Sequence, residues 1–402
     1  MTDQRLHGLD AVRGLALSAG VVLHAAMAFL PGPQVWLVAD TARSTTLSVT
    51  FFAIHMARMT VFFVLAGFFG RMLLHRSGTA AFVRKRLKRI AVPLVLAWPP
   101  VFASIVAVMS ATAPEGAPSG PGLTLRAFPL THLWFLYLLL LLYAGMLPLR
   151  AVIVTADRSG RFRGLLDAVL SGVIRPWGAL FLALPVALAL YLQPWWFQWF
   201  GIPTPDTGFI PNRAAVVAYG LAFVTGWLLH RQDALLLPRL RQQWGVHLAI
   251  ALAATIWCLA TTSTVPLLAP VPFGTSKLVF ALGYAIGTWS WTLALLGIGL
   301  RFMDGHSPAR RYLADASYWI YLAHLPLVIG LQFLMKDWPL PWQIKFPLLL
   351  GVAVALLLGS YHWLVRPTAI GALLNGRRHR RARPVPSPEG TTLMKKLPLL
   401  LL

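Results

Sequence analysis

Ten apolar stretches, each close to the length of a membrane-spanning helix, run through the chain and restrict the folds open to it. A helix needs about 20 predominantly apolar residues to cross the hydrocarbon core of a bilayer. The chain has 402 residues, of which 57% are hydrophobic and only 12% charged, a composition that soluble domains of this size do not show. We therefore predict an all-α fold, a polytopic transmembrane helical bundle. The predicted spans are 11–30, 47–74, 90–110, 131–149, 174–192, 212–230, 245–268, 277–300, 314–334 and 344–366.

The distribution of Lys and Arg predicts the orientation of these spans. Cytoplasmic loops of membrane proteins are enriched in the two residues. If the N-terminus is cytoplasmic, 28 of the 35 basic residues fall on the inner side, and the excess recurs at every inner loop. We therefore expect both the N- and C-termini in the cytoplasm. The seven basic residues that do not fall on the inner side are Arg43, Arg58, Arg126, Arg213, Lys277, Lys336 and Lys345.

The formal net charge of +23 does not indicate a nucleic-acid partner, because no soluble domain carries the basic residues as a patch. We predict one membrane domain, residues 1–370, followed by a basic, Pro-rich and disordered cytoplasmic tail, residues 371–402. The basic part of this tail can meet anionic membrane lipids. A cleaved signal peptide is an alternative for the first span. Its removal, however, would invert every later loop against the charge bias.

Two ionisable residues stand in the first span. Arg13 and His24 are eleven residues apart, close to three helical turns, so they share one helix face about 16 Å apart along the axis. One interpretation makes Arg13 a positive-inside anchor and His24 a histidine bonded to a neighbouring helix. Ionisable side chains at membrane depth are costly, however, and favour a functional site that faces the interior of the bundle.

Three further spans carry polar side chains at related positions. Residues three or four apart lie on the same face of a helix. The second span contributes the pair His55 and Arg58. The ninth span contributes Ser317, Tyr321 and His324 at i, i+4 and i+7. The fourth span begins with His132 and Trp134 at the outer boundary. We predict a shared polar chamber, without a metal ion, that contains His55, Arg58, His132, Trp134, Ser317, Tyr321 and His324.

Five segments occur in an order that resembles the acyltransferase-3 family of integral membrane acyltransferases. They are LDAVRG with a histidine eleven residues after its arginine, FFVLAGFF, FVRKRLKRIAVP, HLWFLYLLLLLY and ASYWIYLAHLP. The chain is similar to the branch of this family that succinylates osmoregulated periplasmic glucans. The resemblance implies a ten-helix core in a bacterial inner membrane, an acyl-coenzyme A donor from the cytoplasm and a carbohydrate hydroxyl as acceptor. It also implies that Arg13 and His24 are essential.

The chemistry of such a transfer suits the residues. A sugar hydroxyl that attacks a thioester needs a base with a pKa near neutral, and an ordinary histidine has one. We predict His24 as the general base, with His324 and Arg13 as the other catalytic residues. Direct transfer and a covalent acyl-histidine intermediate both remain open. The donor is succinyl- or acetyl-coenzyme A, and no cofactor is bound permanently.

Donor and acceptor are expected at opposite ends of the chamber. Charge-assisted hydrogen bonds would hold the donor phosphates at the cytoplasmic side, while the pantetheine arm follows the helix face from Arg13 to His24. The predicted donor-binding residues are Arg13, Arg84, Lys85, Arg86 and Arg89, although the run at 84–89 also fits a positive-inside loop. The predicted substrate-binding residues are His55, Arg58, His132, Trp134 and Tyr321.

Two other features keep alternatives open. The segment PWWFQWF at 194–200 fits an aromatic belt at the membrane interface, or a platform on which sugars stack. Buried His and Arg also line translocation paths, so a transporter or flippase of a glycan or lipid-linked intermediate is the alternative function. A sensor or assembly partner in glycan synthesis is a third. The sequence does not give the oligomeric state.

Overall fold

Nearly all of the described chain is helical. The computed structural model describes residues 6–112, 124–125 and 127–375. Within these ranges there is no β-strand beyond an isolated antiparallel bridge between Pro129 and Thr207, so the predicted all-α class is confirmed. The α-helices are α1 (His7–Ala26), α2 (Thr45–Ser77), α3 (Thr79–Arg86), α4 (Val92–Thr112), α5 (Trp134–Ala156), α6 (Arg161–Val173), α7 (Gly178–Tyr191), α8 (Arg213–Leu229), α9 (Asp233–Thr261), α10 (Thr275–Phe302), α11 (Pro308–Met335), α12 (Trp342–Ser360) and α13 (Ala369–Asn375).

Fewer separate stretches of the described chain pass the length and hydropathy criteria than the ten spans predicted, partly because two of those spans fall in one stretch. Eight helical stretches of the described chain are long and apolar enough to cross a membrane, or nine if α6 and α7, which meet at a bend of 107°, count as one span. The predicted span 174–192 contains only α7, a helix of 14 residues. Such a helix is about 21 Å long and does not cover a hydrocarbon core of roughly 30 Å. The predicted spans 212–230 and 245–268 fall in a single stretch, Arg213–Thr261.

The stretch Arg213–Thr261 doubles back on itself where α8 ends. Asn212, just before α8, donates its side-chain N–H to the carbonyl oxygen of Pro203 at 3.1 Å. Ser263, just after α9, accepts at its carbonyl oxygen from the indole of Trp199 at 3.1 Å. Both partners belong to the loop between α7 and α8, so the two ends of the stretch lie at the same face of the bundle. The two helices are therefore antiparallel crossings joined by a short turn.

The helices form an inner and an outer layer. In the spanning windows of α1, α2 and α10, 56%, 61% and 61% of the residues are buried, against 17% for α5. A helix that faces lipid buries only one side, so α1, α2 and α10 form the inner layer and α5 belongs to the outer one. We call the face of the bundle where α1 begins the N-terminal face, and the face where α1 ends the distal face.

Inner helices approach each other closely through glycine. A Cβ atom on Gly67 would overlap the carbonyl oxygen of Phe223 in α8, and one on Gly226 would overlap that of Val64 in α2. Close backbone packing of this kind stabilises helix pairs in lipid, where no hydrophobic effect drives their association. The glycine of the FFVLAGFF segment is therefore a packing residue.

α6 lies at a steep angle to its neighbour and exposes one apolar face. Its exposed Phe162, Leu165 and Val169 are spaced i, i+3 and i+7. The Asp157 carboxylate accepts from the main-chain N–H groups of Arg163 and Phe162 at the start of the helix. These bonds, above all the one from Arg163, hold the pKa of the Asp157 carboxyl below its usual value. Such an apolar face, at 107° to α7, suits a position along the membrane interface.

α13 crosses the predicted domain boundary at residue 370. The side-chain amide of Asn375 donates to the hydroxyl of Tyr361 at 2.9 Å, so the chain is tied to the bundle up to this residue. The rest of the predicted tail, 376–402, lies outside the described residues.

Candidate active site

A cavity of about 1180 Å³ lies among α1, α2, α4, α5 and α11 on the distal side of the bundle. Its mouth is formed by exposed residues of the distal loops, namely Gln34, Trp195, Thr204 and Asp206, so the cavity opens at the distal face. Asp206 is accessible to solvent yet surrounded by protein, and this desolvation raises the pKa of its carboxyl. From the mouth the cavity reaches inward along α1 as far as Ala16.

The structure brings together most of the predicted site residues from four separate helical segments. Seven of them line this one cavity: His24, His55, Arg58, His132, Trp134, Tyr321 and His324. Ser317 does not line it, and its hydroxyl donates to the carbonyl oxygen of Ala314 at 2.8 Å. The ring of His55 stacks on Phe51, with centroids 5.5 Å apart. The predicted polar chamber is therefore present, with Ser317 outside it.

Three imidazole rings form a row in the cavity wall. The centroids of His24 and His324 are 5.2 Å apart, and those of His324 and His132 are 5.1 Å apart. Nδ1 of His324 and Nε2 of His132 lie 2.7 and 3.1 Å from the carbonyl oxygen of Tyr321. Because a carbonyl oxygen only accepts, both nitrogens carry the hydrogen of the neutral ring. The other nitrogens of these two rings, and Nδ1 of His24, have no hydrogen-bond partner in the described protein.

The unpartnered nitrogens of the imidazole row can accept hydrogen bonds. No three His, Cys, Asp or Glu side chains of the described ranges are placed to hold a metal ion. Nε2 of His324 and Nδ1 of His132 are lone-pair acceptors, because each ring already carries its hydrogen on the opposite nitrogen. A hydroxyl group in the cavity can therefore donate to the imidazole row.

The turn that carries His132 is strained. Thr131 has a φ of 53°, and it is the one non-glycine residue of the described chain with a positive φ. A β-branched residue rarely adopts this conformation, which costs about 1–3 kcal/mol and is typical of functional sites. Tyr321 donates its hydroxyl to the carbonyl oxygen of His132 at 2.8 Å, while His132 donates its ring N–H to Tyr321. This reciprocal pair holds the strained turn in place.

Arg58 brings a positive charge into the cavity without a counterion. No carboxylate of the described chain forms an ion pair with it, and its Nε has no hydrogen-bond partner. Gly20, one turn before His24, makes room for the guanidinium, because a Cβ atom there would lie 2.5 Å from Nη1. Unpaired cations at membrane depth are costly and mark substrate pathways. The cavity is therefore suited to a ligand that brings, or develops, negative charge beside Arg58.

Two residues that hold His24 in place were not predicted from the sequence. Trp36, in the loop after α1, stacks on the His24 ring with centroids 5.6 Å apart and an interplanar angle of 28°. Its indole N–H donates to Oε1 of Gln332 at 2.8 Å. Nε2 of the buried Gln332 donates to the carbonyl oxygens of His24 and Ala25 at 2.8 and 3.1 Å. The amide of Gln332 thus fixes both the backbone of His24 and the Trp36 ring that covers it. In the sequence, the presence of a glutamine within an apolar span was the feature that could have indicated this role.

Arg13 and the other predicted donor-binding residues lie outside the cavity, at the N-terminal face. The cavity stops at Ala16, about one helical turn from Arg13. Arg13 pairs with Asp10 at 3.3 Å, and its guanidinium carbon is 5.9 Å from the centre of the Phe69 ring. The cavity therefore does not extend along this face of α1 as far as Arg13. The residues that share the N-terminal face with Arg13 are Arg84, Lys85, Arg86 and Arg89.

The aromatic segment at 194–200 divides into two sets. Trp196 and Trp199 are buried, and their indole N–H groups donate to main-chain carbonyl oxygens at 2.6 and 3.1 Å. Trp195, Phe197 and Phe200 line the cavity. The first set anchors the loop, and the second forms part of the cavity wall.

Comparison with known proteins assigns the chain to a family. A family profile described as an acyltransferase domain matches residues 6–362, which include α1 to α12, and the chain belongs to this family. Glucans biosynthesis protein C of Shigella dysenteriae serotype 1 is 31% identical over 150 residues, which cover 35% of this chain and only 37% of that protein. Glucans biosynthesis protein C of Escherichia coli O17:K52:H18 is 24% identical over 364 residues, or 81% of this chain and 83% of the relative. No solved structure gives a significant match.

Proposed function

We propose that the protein is a membrane O-acyltransferase that moves a succinyl or acetyl group from acyl-coenzyme A to a hydroxyl of a periplasmic glucan. The observation that carries this proposal is the row of three imidazoles beside the unpaired Arg58, in a cavity open at the distal face. Membership of the acyltransferase family supports the reaction class. The name of the relatives supports a glucan as the acceptor. The bacterial relatives support a bacterial inner membrane. The charge bias supports an N-terminal face in the cytoplasm.

In the proposed reaction, His24 acts as the general base. It accepts the proton of the sugar hydroxyl as the hydroxyl oxygen attacks the carbonyl carbon of the thioester. The negative charge that develops on the carbonyl oxygen lies beside Arg58, where no carboxylate of the described chain competes for the guanidinium. The carbon–sulfur bond then breaks, and the coenzyme A thiolate takes the proton from the His24 imidazolium. The products are the sugar ester and free coenzyme A.

The remaining residues position the two substrates. Nε2 of His324, which has no partner in the described protein, can accept a hydrogen bond from a second hydroxyl of the sugar. His55, His132, Trp134 and Tyr321 surround the acceptor in the cavity. Arg13 and the basic residues of α3 bind the phosphates of the donor at the N-terminal face. Because the cavity ends at Ala16, donor binding must widen the space beside the helical turn from Arg13 to Ala16 so that the pantetheine arm can pass.

The test compares His24→Gln with His247→Gln in purified full-length protein. Glutamine keeps a hydrogen bond but cannot hold a proton, so we expect His24→Gln to lower turnover about a hundred- to ten-thousand-fold while coenzyme A binding is retained. His247 is a buried histidine of α9 outside the cavity, and its substitution controls for the loss of a buried imidazole. Acyl transfer from succinyl- and acetyl-coenzyme A to periplasmic glucan is measured in detergent.

Two results would contradict the proposal. Near wild-type turnover in His24→Gln would make His24 a structural histidine. Donor and glucan binding without transfer by the purified protein would instead favour the transporter or flippase.

A further inference from the structure

We propose that the mouth of the cavity is a binding subsite for several consecutive sugar units of the acceptor, formed by the rings of Trp195 and Phe197 and the carboxylate of Asp206. This inference rests on the proposed function and narrows its acceptor to an oligosaccharide chain. It assigns a role to the aromatic segment that neither the transfer chemistry nor the membrane requires.

Trp195 and Phe197 line the cavity although both remain accessible to solvent. The exposed fractions of Trp195 and Phe197 are 72% and 38%, and both side chains line the cavity. Aromatic side chains of an interfacial belt lie against lipid head groups instead. Trp195 and Phe197 therefore lie where a ligand that extends from the cavity into solvent would pass.

The loop that presents these rings is held rigidly. Its buried neighbours Trp196 and Trp199 are both hydrogen-bonded to main-chain carbonyl oxygens. The carbonyl oxygen that accepts from Trp196 is that of Gly201, which has a φ of 59°, and a Cβ atom there would overlap the Tyr284 ring. A glycine is required at this position, because the backbone is left-handed and the space is filled. A preorganised platform of this kind lowers the entropy cost of binding.

The polar groups at the mouth complement the rings. A pyranose has apolar C–H faces and hydroxyl edges, so its recognition needs both aromatic faces and hydrogen-bonding groups. Asp206 supplies a carboxylate, and Thr204 and Gln34 supply a hydroxyl and an amide from the same rim. The carbonyl oxygen of Asp206 accepts from the N–H of Leu130 at 2.8 Å, two residues before His132. The subsite is thus joined directly to the catalytic part of the cavity.

The volume of the cavity agrees with a ligand larger than one sugar. Pockets for small molecules are usually about 300–1,000 Å³, and this cavity is about 1180 Å³. A sugar unit beside His24 leaves the region near Trp195 for units further along the same chain. We expect acceptor affinity to increase with chain length up to the size of the subsite.

The test measures the binding of linear glucose oligomers of one, two, four and eight units to the purified full-length protein without donor. Wild-type affinity should rise by about tenfold between one and four units, a difference of about 1.4 kcal/mol. Trp195→Ala should remove this increase, Trp195→Phe should keep part of it, and Asp206→Asn should weaken it. The matched control is Trp338→Ala, since Trp338 is an exposed tryptophan, 43% accessible, at the same face but outside the cavity.

Equal affinity for one and four units in the wild-type protein would overturn the subsite. So would an equal loss in Trp195→Ala and Trp338→Ala, because that result is expected of an interfacial belt. The transfer assay separates this inference from the proposed function. Length-dependent binding without acyl transfer would refute only the proposed function, whereas transfer with length-independent binding would refute only the subsite.

Discussion

The side chain of Gln332 binds Trp36 and the backbone of His24, which lie 296 and 308 residues before it in the sequence. Replacement by methionine keeps most of its volume and removes its hydrogen bonds to Trp36, His24 and Ala25. We expect Gln332→Met to lower turnover by about ten- to a hundredfold, since small displacements of a catalytic group have effects of this size. The Michaelis constant for the donor should change little. Steady-state kinetics of the purified variant measures both quantities.

The pair formed by Gln332 and Trp36 allows a sharper form of this test. Trp36→Phe keeps a ring over His24 but cannot donate to the glutamine. If Gln332 acts through Trp36, the effects of Gln332→Met and Trp36→Phe on turnover will be less than additive. Gln242→Met, an exposed substitution on α9, is the control. Additive effects of the two substitutions would show that Gln332 does not act through Trp36. A change confined to thermal stability would reduce Gln332 to a purely structural role.

The sequence predicted the histidines and Arg58 of the cavity because polar side chains are rare and costly inside apolar spans. It did not predict Gly20, Trp36 or Gln332. Gly20 matters only because a guanidinium from α2 fills its empty side, and Gln332 matters only because α11 lies beside the end of α1. Such roles depend on which helices are neighbours, and the hydropathy of one span carries no information about that.

Among the helices, α12 is fastened to the loop after α1 by a buried ion pair. Nζ of Lys345 lies 2.8 Å from Oδ1 of Asp40, and the side chains are 0% and 3% exposed. Lys345 also donates to the carbonyl oxygen of Lys336, and Asp40 accepts from the N–H of Ala42. The loop that carries Trp36 is therefore held from outside the active site. This pairing also explains why Lys345 stands against the charge bias.

Replacement of one member of this ion pair should lower the stability of the protein more than replacement of both. Lys345→Met leaves the Asp40 carboxylate buried without its cation, and we expect a destabilisation of about 3–5 kcal/mol. The double variant Lys345→Met, Asp40→Leu should recover most of the stability, because it leaves no unpaired charge. Thermal unfolding in detergent measures both. A double variant as unstable as Lys345→Met would show that the ion pair itself, rather than the stranded charge, decides the stability.

The sequence located most helices but not their relative directions or exact lengths. Hydropathy predicted α8 and α9 as two spans, and the contacts of Asn212 and Ser263 place the ends of both at one face. It extended the fifth span over 174–192 because the whole segment is apolar, whereas the structure has the short α7 bent away from α6. A hydropathy window adds up transfer free energies and contains no term for such a bend.

For the molecule as a whole, the orientation in the membrane remains a prediction of the charge bias. Thr207 is exposed in a distal loop, and Ser159 is exposed beyond α5 at the N-terminal face. In a Cys258→Ser background, Thr207→Cys should react with an impermeant thiol reagent added to intact spheroplasts, and Ser159→Cys should not. Both should react once the membrane is permeabilised. Labelling of Ser159→Cys alone in intact spheroplasts would reverse the orientation, and with it the side from which the donor comes.

The end of the cavity at Ala16, one helical turn from Arg13, has a consequence for the proton gradient across the membrane. A water-filled passage through the bundle, lined by histidines that exchange protons, would let protons flow down their gradient. Because the described cavity opens at the distal face and ends at Ala16, solvent reaches its imidazoles from that face. The helical turn from Arg13 to Ala16 therefore lies between the cavity and the N-terminal face. Under the proposed function, a donor arm that fills its own passage would keep the two faces separated during catalysis.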